Sequence, residues 1–140
     1  MTFDQQFIVA KLDELRGYSG ELDELLHFSD GEIIADQFKL HAAERLLQLV
    51  VDTMIDINQH FIRELKLKIG DDFQSTFYTL GSQDILPTPF AEKIAPIVGL
   101  RNRIVHRYET LDKKLFLRSL RNNLSDIEIY IKHIVQYSAK

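Results

Sequence analysis

Between Ile33 and about Lys68 the sequence contains neither proline nor glycine, and its apolar residues recur every three or four positions. Proline and glycine are the residues that most often stop a helix. An uninterrupted run with this period therefore predicts one helix of roughly 50 Å, at a rise of 1.5 Å per residue. Its broad apolar stripe is Ala43, Leu46, Leu47, Val50, Met54, Ile57, Phe61 and Leu65. A second, narrower line of Val51, Ile55 and Ile62 lies about 100° away on a helical wheel. One stripe satisfies a small bundle. Two fit either burial on two sides, with a second subunit on one of them, or a single wide core face.

The rest of the chain has the same character. Six glycines and three prolines are few for 140 residues, which favours long helices over many short strands. Residues 3–28 place Phe3, Phe7, Ile8, Leu12, Leu15, Leu22, Leu25 and Leu26 on one helical face, interrupted only by Gly17 and Gly20. Ser29-Asp30-Gly31 reads as a turn. Gly70-Asp71-Asp72 breaks the long helix, and Phe73 to Leu80 forms a short one. Thr88 then caps a helix that has Pro89 at its first position and runs to about Tyr108. Residues 111–137 form the last amphipathic helix, with Leu115, Phe116, Leu120, Leu124, Ile127, Ile131, Ile134 and Val135 on its apolar face. The expected fold is all-α: an antiparallel bundle of four main helices with an additional short helix.

Length and composition fit one domain over residues 1–140, ordinary for a globular protein at 45% hydrophobic and 27% charged. No cysteine is present, so disulfides and thiolate metal sites are ruled out and a cytoplasmic location is expected. The first residues lack the basic start and apolar core of a signal peptide, and no apolar run approaches the roughly 20 residues that span a bilayer. A net charge of −4 argues against a protein that coats nucleic acid without regard to sequence. It leaves room for a local RNA contact.

Chemistry concentrates in Arg101-Asn102-Arg103-Ile104-Val105-His106-Arg107-Tyr108. On a helical wheel Ile94, Ile97, Val98, Ile104, Val105 and Tyr108 all fall within about 60° of Arg101, so the arginine sits in the middle of an apolar stripe. A guanidinium keeps its proton, and burying it unpaired is costly, so it needs a carboxylate or a phosphate. Asp52, Asp56, Asp23 and Glu24 are the internal candidates. Asn102 and His106 share a different face with Ala95 and Gly99, a small-residue patch suited to close approach by another chain. A symmetric dimer there brings two Asn102/His106 sets into one cleft. Imidazoles titrate near neutrality, so two across a dyad can serve as acid and base. Arg101, Arg103 or Arg107 can neutralise charge on a phosphate. Cleavage would then use the 2′-hydroxyl of RNA as nucleophile, a reaction that fails on DNA.

The stretch Gly99-Leu100-Arg101-Asn102-Arg103-Ile104-Val105-His106-Arg107-Tyr108 resembles the R-x-x-x-x-H-x-Y signature of the HEPN toxins in HEPN–MNT toxin–antitoxin pairs, the HepT type. Glu44-Arg45 with Gln48, then Asp56-Ile57-Asn58 and His60, resembles the second-helix pattern of the same family. The helix order matches over essentially the whole chain. This resemblance implies a HEPN-like fold and a metal-independent endoribonuclease that works as a homodimer, with the motif lining a cleft between protomers. It makes Arg101 and His106 the catalytic pair and Asn102 the polar residue beside the arginine. Beside these, the charges of Arg103 and Arg107 are expected to support RNA binding. It matches Tyr108 to the tyrosine that a partner nucleotidyltransferase antitoxin of the MNT type modifies with AMP. ATP and magnesium are used by that partner, and no cofactor is implied for this chain. A nucleotide on Tyr108 would put bulk and negative charge two residues from His106, obstructing RNA and repelling its backbone.

Other groups carry less. Asp52, Asp56, His60 and Glu64 fall at four-residue intervals, yet each step drifts about 40° round the helix, and the Glu-x-x-His pairs of four-helix carboxylate proteins are missing. Asp56 and His60 are expected instead to orient Arg101 or to line the cleft. His27, His41 and His133 are expected on the surface or at its boundary. Lys113, Lys114, Arg118 and Arg121 either form a solvated face or extend a basic rim for RNA. Two rivals stand beside the ribonuclease reading: a non-catalytic helical partner of a nucleotidyltransferase, and a carboxylate-bridged metal enzyme.

Overall fold

The computed structural model describes residues 4–140; Phe3, counted on the first helical face, lies outside the described residues. Seven α-helices follow one another among them, with no strand: α1 (Gln5–Leu25), α2 (Asp30–Ala35), α3 (Gln37–Glu64), α4 (Gln74–Ser82), α5 (Thr88–Ile94), α6 (Ile97–His106) and α7 (Lys113–Ser138). A short 3-10 turn, Tyr108–Thr110, links the last two. The all-α expectation holds. The long helices α1, α3 and α7 pack together, α6 lies on α3, and α4 is held between α3 and α5. Contacts at Asp4–His60 and Lys11–Asp56 run in opposite directions along α1 and α3, so this pair is antiparallel.

Helix boundaries depart from the sequence reading at several places. The helix expected from Ile33 is divided at Asp36, whose backbone is extended and whose carboxylate accepts the N–H groups of Phe38 and Lys39. An aspartate that caps a new helix start cannot also continue the old one. Ser29, assigned to a turn, caps α2 in a reciprocal capping box with Glu32. The fourth helix is split at Pro96, which offers no N–H to the carbonyl four residues back. There Val98 and Gly99 close tighter turns onto Ala95 and Pro96, and α6 starts afresh. Thr88 does not cap: it is the first residue of α5, and its hydroxyl reaches the Gly81 carbonyl at 3.4 Å.

The core resolves the two stripes of α3. Val51, Ile55 and Ile62 are each no more than 4% exposed within one chain, as are Ala43, Leu47, Val50, Met54, Ile57 and Phe61. The second line is therefore part of a wide core face, not a free surface awaiting another subunit. α4 approaches α5 so closely that a Cβ on Gly81 would stand 3.0 Å from that of Ala91. A buried polar chain ties three elements together. The Tyr130 hydroxyl on α7 donates to Asn58 Oδ1 at 2.6 Å, Asn58 Nδ2 donates to Thr76 Oγ1 at 3.0 Å, and Thr76 Oγ1 donates to the Phe73 carbonyl at 2.7 Å. That chain fixes the loop before α4, which forms one wall of the site.

Candidate active site on the sixth helix

Arg101, Asn102 and His106 on α6 line one cleft of about 340 Å³, together with Val98, with Asp71, Asp72 and Phe73 from the facing loop, and with Gln74 at the start of α4. Arg101 rises from the apolar side of α6, flanked by the buried Val98 and Ile104, and its side chain is 15% exposed. Its Nε donates to Asp52 Oδ1 at 2.9 Å and one terminal nitrogen donates to Asn102 Oδ1 at 3.1 Å. Asp52 is thus the partner among the four candidate carboxylates. A fork held at two points leaves its remaining N–H groups directed by the plane of the guanidinium, the geometry that suits a phosphate oxygen.

His106 is the last residue of α6 and is exposed. The helix ends there because Arg107 leaves helical geometry, at φ −137° and ψ 40°. A basic residue in the last turn is favoured by the partial negative charge of the helix C-terminus, and α6 has two, Arg103 and His106. Gly99 lies one and two turns before Asn102 and His106, and a Cβ added to it would meet nothing within 4 Å. Ala95 departs from the expected patch: it is fully buried in the turn between α5 and α6. Val105 and Tyr108 also leave the apolar stripe. Both are 40% exposed, and Tyr108 sits in the 3-10 turn beyond α6. Arg103 and Arg107 are exposed beside the motif.

Tyr108 turns toward α3. Its hydroxyl neighbours the Glu44 carboxyl, and burial followed by the Glu44 charge raises the phenol above its ordinary pKa. Glu44 is only 5% exposed. Burial pushes its carboxyl up, against the opposing influence of His41, Lys113 and Tyr108. Periodicity gave no hint of this pairing, and Glu44 had entered only through its likeness to a family pattern. Asp71 and Asp72 likewise read only as part of a helix breaker, and Phe73 and Gln74 as the start of the short helix that follows. An acidic pair following a glycine is a weak signal, and only the fold turns it toward Arg101.

The four-residue ladder on α3 disperses. Asp52 binds Arg101, Asp56 binds Lys11 Nζ at 3.1 Å, and His60 Nε2 accepts the Asp4 N–H at 3.0 Å while stacking on Phe7. Asp56 and His60 therefore serve the packing of α1 on α3; they neither orient Arg101 nor line its cleft. No group of three His, Cys, Asp or Glu able to hold a metal ion occurs among the described residues. Arg121 is not part of a basic rim: it clamps Asp30 Oδ1 at 2.8 Å and the carbonyls of Leu26 and Phe28 at 2.7 Å each. Lys113, Lys114 and Arg118 stay exposed. His27 is bound to the Asp23 carbonyl and His133 packs near Phe90. A second hollow of about 260 Å³ lies behind the Asp71–Phe73 loop, and no residue of the motif lines it. No helix among the described residues is long and apolar enough to cross a membrane.

A family model described as Ribonuclease HepT-like matches residues 15–134. The tRNA nuclease HepT of Aphanizomenon flos-aquae is 34% identical over 135 residues, covering 94% of this chain and 85% of the relative. The mRNA nuclease HepT of Shewanella oneidensis is 29% identical over 105 residues, covering 74% and 79%. Among solved structures, the tri-AMPylated Shewanella oneidensis HEPN toxin in complex with its MNT antitoxin superposes with a TM-score of 0.84. That match is 22% identical and covers 93% of this chain and 97% of the toxin, so the helical architecture is shared. The chain belongs to the HepT-like ribonuclease family.

Proposed function

We propose that this protein is a metal-independent endoribonuclease, the toxin of a toxin–antitoxin pair, with Arg101 and His106 as its catalytic residues. The observation that carries the reading is the shared cleft: Arg101, Asn102 and His106 line one opening of about 340 Å³, and Asp52 holds the arginine in place. The substrate's own 2′-hydroxyl attacks the adjacent phosphorus, and the bond to the 5′-oxygen breaks. His106 moves a proton in this step, and a second copy across a twofold axis supplies the complementary acid or base. Arg101 balances the charge that builds on the phosphoryl oxygens, with Arg103 and Arg107 holding the flanking backbone. Asn102 keeps the guanidinium in plane. The protein works as a homodimer in the cytoplasm, and RNA, not DNA, is its substrate.

Neutralisation comes from an MNT-type nucleotidyltransferase antitoxin that adenylylates Tyr108, using ATP and magnesium that this chain does not itself bind. The half-exposed phenol beyond α6 supports this, as does the AMP-bearing relative bound to its antitoxin. Incubation of total RNA with the purified protein in EDTA tests the nuclease. Wild type is expected to cleave, and His106→Ala to lose about 10²-fold or more of the activity. Equal cleavage by both would remove His106 from the mechanism. A non-catalytic partner of a nucleotidyltransferase has one observation on its side, namely that Arg101 already has an internal carboxylate. Growth arrest on expression, relieved by Arg101→Ala, decides against it.

A further inference from the structure

Glu44 is buried on α3 at 5% exposure, and its Oε2 atom has no hydrogen-bond partner. Burying a carboxylate oxygen unmatched costs free energy, so such an atom in a native fold asks for a reason. The proposed RNA cleavage makes no use of it. Its charged and titratable neighbours are His41 one turn earlier on α3, Lys113 at the start of α7, and the Tyr108 hydroxyl. Tyr108 is 40% exposed, and its hydroxyl interacts with the carboxylate of the buried Glu44.

We propose that Glu44 is the general base for nucleotide transfer onto Tyr108, so that the modified chain supplies the base for its own modification. This rests on Tyr108 being the acceptor, as proposed above. The phenol oxygen forms a bond to the α-phosphorus of ATP while the bond from that phosphorus to the oxygen bridging the β-phosphate breaks. Pyrophosphate leaves with the electron pair. The phenol proton passes to Glu44 and from there to solvent, leaving the carboxylate as it began. The surroundings fit the task. Burial makes the carboxylate a better proton acceptor than a solvated one, and the same burial, with the Glu44 charge, makes Tyr108 less able to ionise unaided.

The test is a single-turnover time course of the chain with an MNT-type nucleotidyltransferase, ATP and magnesium, followed by intact-mass spectrometry. Wild type should gain an AMP increment on Tyr108, Tyr108→Phe should gain none there, and Glu44→Gln should gain it about 10²-fold more slowly. A Glu44→Gln rate within about twofold of wild type overturns the role of Glu44 alone, because the expected loss is far larger. Wild type left unmodified on Tyr108 overturns that role and the acceptor assignment together. A second readout needs no substitution, should Glu44→Gln fail to fold or to bind the transferase. The wild-type transfer rate must fall as pH is lowered from about 8 to about 5, since a protonated carboxyl accepts nothing. A flat profile across that range overturns the proposal.

Discussion

Asp52 on α3 accepts a hydrogen bond from Arg101 Nε at 2.9 Å, forty-nine residues away in sequence, and so couples the longest helix of the bundle to the motif on α6. This contact sets the direction of the guanidinium, because Nε is the one N–H that lies along the side chain rather than at its fork. Asp52→Asn keeps the shape but weakens the hold. RNA cleavage by this variant is expected to fall by on the order of 10- to 100-fold, since small displacements of a positioning group cost that much. Its unfolding midpoint should stay close to wild type. Unchanged cleavage would mean that Arg101 needs no anchor.

Arg101→Lys tests the fork itself. A lysine keeps the charge but offers a single ammonium, which cannot bind Asp52 and a phosphate oxygen in one plane. Cleavage should drop nearly as far as in Arg101→Ala, read under the same RNA assay. Full activity with lysine would reduce the arginine to a point charge.

The chain Tyr130–Asn58–Thr76–Phe73 connects the core to the loop that faces Arg101. Tyr130 is fully buried, and removing its hydroxyl leaves Asn58 Oδ1 without that donor. Tyr130→Phe is expected to destabilise the protein by about 1–3 kcal/mol, the cost of an orphaned buried acceptor, measured by denaturant unfolding. A loss much below that range would show that the network relaxes without its phenol.

His60 gives a pH signature of stability. Burial is the main cause that holds its imidazole below the ordinary value, and its Nε2 accepts the Asp4 N–H, which only an unprotonated nitrogen can do. The unfolded chain therefore takes up the proton first as pH falls. The contribution is fully present above the unfolded imidazole value of about 6.5 and is lost as pH drops through it toward the folded value. Unfolding free energy measured across that window should decline in wild type more steeply than in His60→Gln, whose side chain does not titrate. Parallel curves would exclude His60 as the source.

How much of this was open to a reader of the sequence depended on whether the signal was local. The motif is eight consecutive residues, so its helical character and its candidate chemistry are legible at once, although α6 stops at His106 and leaves Tyr108 in the turn beyond. Which carboxylate meets Arg101 was not, because Asp52 and Asp56 differ by one turn of α3 and the choice lies in how α6 sits on that helix. Glu44 meets Tyr108, and Asp71–Gln74 lines the Arg101 cleft, each from a separate element, and nothing in their own neighbourhoods announces it. Helix ends were missed for a related reason. Asp36 and Pro96 fall at positions that the apolar period tolerates, and the period alone carries no information about caps.

The end of α3 shows the same effect and gives the last prediction. Apolar periodicity ran on to Lys68, yet α3 stops at Glu64, with Lys66 at φ 56°. The Leu67 N–H bonds the Ile62 carbonyl at 2.8 Å and the Lys66 N–H bonds the Arg63 carbonyl at 3.2 Å, the paired closure that usually has glycine at the left-handed position. Asp84 closes α4 in the same way, at φ 58°. A lysine there is strained by roughly 1–2 kcal/mol, and glycine would relieve it while losing about 0.4–1 kcal/mol through its freer unfolded chain. Lys66→Gly should therefore stabilise the protein by about 0.5–1 kcal/mol in denaturant unfolding, a net gain between those two terms. Lys132→Gly, at an exposed position inside α7, should cost about 1 kcal/mol instead. Destabilisation by both would show that the strain at Lys66 is smaller than the backbone freedom that glycine restores to the unfolded chain.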